Sequence, residues 1–357
     1  MQNLNNYLEL IQSESLNQLA MQKAQQHWDA IAKPLRSLGR LEEMIIQLAG
    51  ITGSAEFPVT EFRKAVLIFC ADNGIVAENV TQTGQEVTAT VTRNFTKGLA
   101  TVNSLSRICH ADVFPVDVGI AEDLDCPGLD VRKIAYGTKN FAKEPAMTRE
   151  ACETAILTGI TLVREKKQQG YDLILTGEMG IGNTTTSSAV LSVLEQIDPA
   201  QVTGKGAGLT SAGVVHKIQV IRDAIALHKP DPKNVLDVLT KLGGFDLCAM
   251  TGAFLGGAVY RIPVMIDGFI SAVAANCAVR LAPACRNFLF ASHCSAEPAG
   301  KLALDAIGLK AYLDCDMCLG EGTGAVIAAK LFDFALAAYQ DTADFSSAQV
   351  EAYQLLN

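Results

Sequence analysis

Hydrophobic residues in the first fifty positions recur with a helical rhythm. Trp28, Ile31, Leu35 and Leu38 are spaced by three or four, and Leu41, Met44, Ile45 and Leu48 then fall on one face. Residues 4–50 therefore read as amphipathic helices, with no strand required. After Phe57-Pro58 the texture changes to short apolar runs separated by glycine-rich turns and helical stretches, the pattern of βα units around a parallel sheet. Residues 65–70, 112–118, 173–176, 263–266 and 288–291 are the expected strands. Residues 245–260 form a weakly charged run interrupted by Gly252, Gly256 and Gly257, too short for a bilayer span and read as a buried helix. Lys229-Pro230-Asp231-Pro232 reads as the loop closing a long helix. From residue 321 to about 339, Val326, Ile327, Ala329, Leu331 and Phe334 form a broad apolar face. That last helix is expected to pack with the N-terminal ones as a smaller lobe.

Each expected strand runs into polar or glycine-rich residues: Asp72-Asn73-Gly74, Asp117-Val118-Gly119, Gly177-Glu178, Asp267-Gly268 and Ser292-His293. Ligands of open α/β sheets lie beyond the carboxyl ends of the strands, so these ends can converge on one crevice. Any single one could instead cap the next helix. Their recurrence favours a shared site.

Composition narrows the class. A chain of 357 residues, 49% apolar and 19% charged, has ample material for a core and a length suited to about two domains. A net charge of −9 without a concentrated basic patch excludes a general nucleic-acid or anionic-membrane binder. Met1-Gln2-Asn3-Leu4 carries neither a basic nor an apolar leader signature, so a cytoplasmic protein is expected. The ten cysteines lie mostly in apolar contexts and are expected to be reduced. Cys315-Asp316-Met317-Cys318 has metal or redox spacing, but no second pair or nearby histidine completes a ligand set, and a structural role without metal is the favoured reading.

Two glycine-wrapped glutamates carry the chemistry. Gly177-Glu178-Met179-Gly180-Ile181-Gly182-Asn183-Thr184-Thr185 reads as strand, glycine loop and helix start, a geometry suited to phosphate. It lacks the Gly-Lys-Ser/Thr ending of a nucleotide triphosphatase loop and the third glycine of a dinucleotide fingerprint. A second loop, Gly204-Lys205-Gly206-Ala207-Gly208, precedes a helix bearing His216 and Lys217. Lys205 or Lys217 could neutralise a phosphate, although spacing alone favours a solvated helix face for Lys217. Glu321, among Gly320, Gly322 and Gly324, is either a helix N-terminal anion or a general base. The helix start favours its carboxylate form, whereas burial opposes it, and the sequence leaves the balance open.

These motifs resemble one family. Cys70-Ala71-Asp72-Asn73-Gly74, the Gly177–Thr185 loop, Gly243-Gly244-Phe245-Asp246-Leu247, Pro263-Val264-Met265-Ile266-Asp267-Gly268-Phe269, Ser292-His293-Cys294-Ser295-Ala296-Glu297 and Gly320-Glu321-Gly322 are similar to the nicotinate-nucleotide:dimethylbenzimidazole phosphoribosyltransferases. The similarity begins at Leu35-Arg36-Ser37-Leu38-Gly39-Arg40-Leu41-Glu42 and runs to the C-terminal helix. It implies a Rossmann-like, mostly parallel sheet with flanking helices over residues 61–320, a small helical domain from residues 1–60 and 321–357, and a dimer of the chain with itself or with a related chain.

The implied reaction moves phosphoribose from nicotinate mononucleotide to an aromatic lower-ligand base, releasing nicotinate, with no metal or redox cofactor. Glu321 would be the general base. Glu178 would be a second acid, holding ribose hydroxyls or assisting Glu321. Gly180, Asn183, Thr184, Gly206 and Lys217 would hold phosphate and ribose, with Asp267 and Ser295 also counted as substrate-binding. Thr83-Gly84 and Val91 stand where the family commonly has a serine-proline pair and a glutamine in the base pocket. The acceptor could therefore be a benzimidazole, a purine or a phenolic. The alternatives are a non-catalytic paralogue serving a catalytic partner, or a nucleotide sensor using the same crevice.

Overall fold

The computed structural model describes residues 3–59 and 61–353; residues 1–2, 60 and 354–357, which belong to the expected helical domain, lie outside the described residues. Its centre is a six-stranded parallel sheet ordered β3-β2-β1-β4-β5-β6, with β1 Lys64–Ala71, β2 Ala111–Gly119, β3 Asp130–Val131, β4 Leu173–Met179, β5 Val264–Ile266 and β6 Leu289–Ala291. This is the order of doubly wound nucleotide-binding sheets, with the switch point between β1 and β4. Both faces of such a sheet are covered, so β1 is buried at every position and its sequence is an unbroken apolar run after Lys64. Lys64 is tolerated because its Nζ lies 3.0 Å from both Asp333 Oδ2 and the carbonyl of Phe62.

All five expected strands form, and their limits differ in an informative way. The ladder pairs Phe69 with Glu178 and Cys70 with Met179. Glu178 is therefore a strand residue and not a loop residue as the glycines around it suggested. Strand β3 was not anticipated; its two residues pair only with Val116 and Asp117.

The expected buried helix spans Phe245–Tyr260 and lies against the Arg149–Gln168 helix. A Cβ on Gly252 would strike the carbonyl of Ile156, and one on Gly159 that of Ala249, so these glycines serve close helix packing. None of the described helices is long and apolar enough to cross a membrane.

Both chain ends meet. The N-terminal segment divides into helices Leu4–Gln12, Gln18–Ala30 and Arg40–Thr52, while Leu35 and Leu38 fall in the intervening turn rather than on a helical face. The C-terminal helix is Thr323–Asp341. Trp28 packs edge-on against Tyr339 with ring centroids 5.0 Å apart, and Ile31 bridges to Asp344. The helix buries Ala325, Val326, Ala329, Phe332 and Leu336. Ile327 and Phe334, assigned to its apolar face from the sequence, are instead 40% and 59% exposed.

Candidate functional site

A cleft of about 340 Å³ opens over the carboxyl ends of the central strands. Glu178, Gly180, Asn183, Thr184, Gly206, Asp267, Ser295, Thr83, Val91 and Glu321 all line it. Lys217 stands one contact behind, donating from Nζ to Thr184 Oγ1 at 2.8 Å.

The glutamate wall is built by backbone contact. A Cβ on Gly177 would lie 2.6 Å from the carbonyl oxygen of Glu321, so β4 and the 320–322 turn touch only because residue 177 is glycine. Gly320, Glu321 and Gly322 have φ of +84°, +61° and +87°. Two of the three are residues for which this costs little; at Glu321 it stores strain of about 1–3 kcal/mol, a feature that clusters at functional sites.

Asp267, at the end of β5, fixes this turn: Oδ2 accepts from Gly322 N–H at 3.1 Å and Oδ1 from Ala325 N–H at 2.9 Å. Asp267 therefore faces the cleft but spends both carboxyl oxygens on the amides at the start of the Thr323–Asp341 helix. Its place in the site is that of an anchor for Glu321.

Burial decides the balance the sequence left open. Desolvation pushes the Glu321 carboxyl above the usual glutamate range, against the backbone N–H of Val102 and with help from the Asp267 charge. One of its oxygens, Oε2, is buried with no hydrogen-bond partner. Glu178 rises further, to about 8, through burial first and the Asp246 carboxylate second. Asp246 itself is raised to about 6 by burial.

A second corner is suited to an anion. The Asn183–Glu195 helix starts behind Gly182, whose φ is +94°. Thr184 faces Gly206, where a Cβ would come within 2.8 Å of Thr184 Oγ1. Lys217 is 1% exposed and sits behind Thr184, which corrects the solvated-face reading. Burial lowers its pKa to about 8, with partial compensation from Glu297. Glu297 is raised by burial, opposed by the Lys217 charge and the Gly206 backbone. His216 does not join them; its Nε2 pairs with the carbonyl of Glu78 at 2.7 Å. Lys205 borders a smaller neighbouring pocket.

The remaining walls are largely apolar. Val87 and Val91 come from the Glu86–Thr96 helix, Phe269 and Ile270 from the helix after Asp267, and Met179 and Leu319 flank the two glutamates. Cys318 reaches the rim, and both it and Cys315 are exposed free thiols. Sequence reasoning gave no role to Asp246, His293 or Glu297, although each lies in a quoted motif. The signal was present for Asp246: Gly244 precedes it, and a Cβ there would strike its carboxyl.

Similarity to known proteins identifies the family. A phosphoribosyltransferase family profile matches residues 13–350. A nicotinate-nucleotide–dimethylbenzimidazole phosphoribosyltransferase of Ruminiclostridium cellulolyticum is 52% identical, with 96% of this chain and 97% of that one covered. The protein of the same name from Acetivibrio thermocellus is 47% identical, over 94% and 95% of the two chains. The crystal structure of CobT from Thermus thermophilus superposes with a TM-score of 0.89 at 38% identity, covering 94% of this chain and 100% of that one. Sequence and fold thus converge, and the chain belongs to the nicotinate-nucleotide–dimethylbenzimidazole phosphoribosyltransferase family.

Proposed function

We propose that this protein transfers phosphoribose from nicotinate mononucleotide to an aromatic lower-ligand base, yielding nicotinate and an α-riboside 5′-phosphate. The observation that carries the reading is one cleft holding a strained, half-buried glutamate beside an anion corner with a buried lysine. The phosphate would lie against the Thr184 and Gly206 backbone, with the Lys217 charge behind Thr184.

The base nitrogen attacks C1′ as the bond to the pyridinium nitrogen breaks, and that bond's electron pair returns to the leaving ring. Nicotinate leaves with a neutral ring nitrogen and needs no proton. The proton lost is on the acceptor, and Glu321 takes it. A carboxylate whose pKa is raised by burial is a stronger base than a free one, and such a group contributes about 10²–10⁴ in rate. Asp267 holds the 320–322 turn so that this carboxylate is in place before substrate arrives.

Val87, Val91, Phe269 and Ile270 favour an acceptor with an apolar body, such as a methylated benzimidazole or a phenolic. A purine carries polar edges that these walls leave unpaired, so it is the disfavoured acceptor. In this reading the protein works in the cytoplasm as a dimer, with itself or a related chain, and residues 1–60 and 321–357 act as its small helical domain.

The test is the purified chain alone with nicotinate mononucleotide and a set of acceptors (dimethylbenzimidazole, adenine and a phenol), read by nicotinate release and product mass. Release with a riboside phosphate product is expected. Ligand-induced stabilisation without release would identify a sensor. Activity only after adding a related chain would identify a partner subunit.

A further inference from the structure

Asn183 sits between two buried acids. Its Nδ2 donates to Glu178 Oε2 and, at 3.2 Å, to Asp246 Oδ2. Asp246 belongs to the first turn of the Phe245–Tyr260 helix and is wholly buried, with Oδ1 accepting from Leu247 N–H at 2.9 Å. Two glycines leave space for it. A Cβ on Gly180 would lie 2.5 Å from Oδ2, and one on Gly244 would strike Oδ1. Among the described residues, the charges that act on Glu178 are those of the acids Asp246, Asp267 and Glu321. His293 faces Asp267, and the Cys70 thiol on the neighbouring strand is kept neutral by burial.

An amide NH₂ shared by two carboxyl groups without a nearby cation cannot support two full charges in a desolvated site. We propose that Asp246, held beside Glu178 by the Asn183 amide they share, is a positioning residue whose charge keeps Glu178 in its neutral carboxylic-acid form, leaving Glu321 and not Glu178 as the base that faces the acceptor. Asp246 is the member of the pair that ionises first, in keeping with its lower pKa of about 6 against about 8 for Glu178. Glu178 Oε1 lies against Gly320 on the cleft side. A proton there makes Glu178 a hydrogen-bond donor to a sugar oxygen and prevents it from competing for the acceptor's proton. Asn183 is then a bridge between acids, its side chain already engaged before phosphate binds.

The catalytic consequence rests on the function proposed above; the protonation state does not, so the two can fail separately. The experiment is carbon NMR of the full chain labelled at the glutamate side-chain carboxyl, with the Glu178 signal assigned by its loss in Glu178→Gln. In wild type Glu178 should remain protonated at pH 7. Asp246→Asn removes the facing charge, and the midpoint should fall by about one pH unit or more. Asn183→Ala removes a bond that favours the carboxylate, so the midpoint should rise. These opposite signs separate charge coupling from loosened packing. If Asp246→Asn does not fold, Asp246→Ser, which also removes the charge, is read in its place with the same expected fall. A Glu178 already ionised at pH 7, or a midpoint that Asn183→Ala leaves unmoved or lowers, overturns the proposal, as does an Asp246→Asn midpoint that does not fall. Lys217 also titrates near pH 8, which is why the carboxyl signal and not the rate is read.

Discussion

Replacing Lys217 by methionine should make the unliganded protein more stable while abolishing its affinity for the phosphate. Lys217 is buried, and its Nζ has one protein partner among the described hydrogen bonds, Thr184 Oγ1. A fall in pKa from 10.5 to about 8 corresponds to about 3 kcal/mol of destabilisation at neutral pH, where the folded state must hold a charge it disfavours. Methionine keeps the length and apolar stem but leaves Thr184 without its donor, at a cost of about 1 kcal/mol. The net gain expected is about 2 kcal/mol.

The sign follows from proton binding. Between pH 8 and 10.5 the unfolded lysine binds more protons than the folded one, so wild type gains stability as pH rises through that window and the variant's advantage shrinks. Urea unfolding of both proteins from pH 7 to 10 measures this directly. Nicotinate mononucleotide should stabilise wild type and leave Lys217→Met almost unmoved. A variant less stable than wild type at pH 7, or an advantage that does not change with pH, would refute the reasoning.

Three further outcomes follow from the same geometry. Gly177→Ala places a methyl 2.6 Å from the Glu321 carbonyl, so it should cost about 1–3 kcal/mol in thermal unfolding and lower kcat much more than it raises KM, because the 320–322 turn must shift. Val91→Gln adds an amide to an apolar wall of the cleft; in competition assays read by product mass it should move acceptor preference toward bases with an additional polar edge, with nicotinate mononucleotide affinity unchanged. The acid side of the pH profile of kcat/KM should lie above the usual glutamate range, since burial raises Glu321 and only its carboxylate form accepts the proton; a profile flat down to the ordinary glutamate pKa would contradict that assignment.

The sheet was legible because its central strands β1, β4, β5 and β6 are buried on both faces and so appear as continuous apolar runs ending in polar residues. Strand β3 was not, since two residues against Val116 and Asp117 leave no periodic trace. Leu35 and Leu38 mimicked a helical face across a turn; Pro34 and Gly39, whose φ is +54°, mark the interruption. Ile327 and Phe334 misled because the inner face of the last helix intersperses Val326, Phe332 and Leu336 with Ala325, Ala328, Ala329 and Ala335, small residues that a hydrophobicity pattern underweights. The two glutamates announced themselves through glycine, and glycine proved to mean close approach: Gly177 against the turn of Glu321, and Gly320 against Glu178. Burial of Lys217 and the bridge from Asn183 to Asp246 depend on helices far apart in the chain, so no local pattern could reveal them.

Glu321→Gln is the most direct test of the central claim. Glutamine keeps the shape and the turn but cannot accept the acceptor's proton. Nicotinate mononucleotide should bind as in wild type by calorimetry while turnover with the preferred base falls by about 10²–10⁴. Turnover within a few-fold of wild type, with binding intact, would show that Glu321 is not the base.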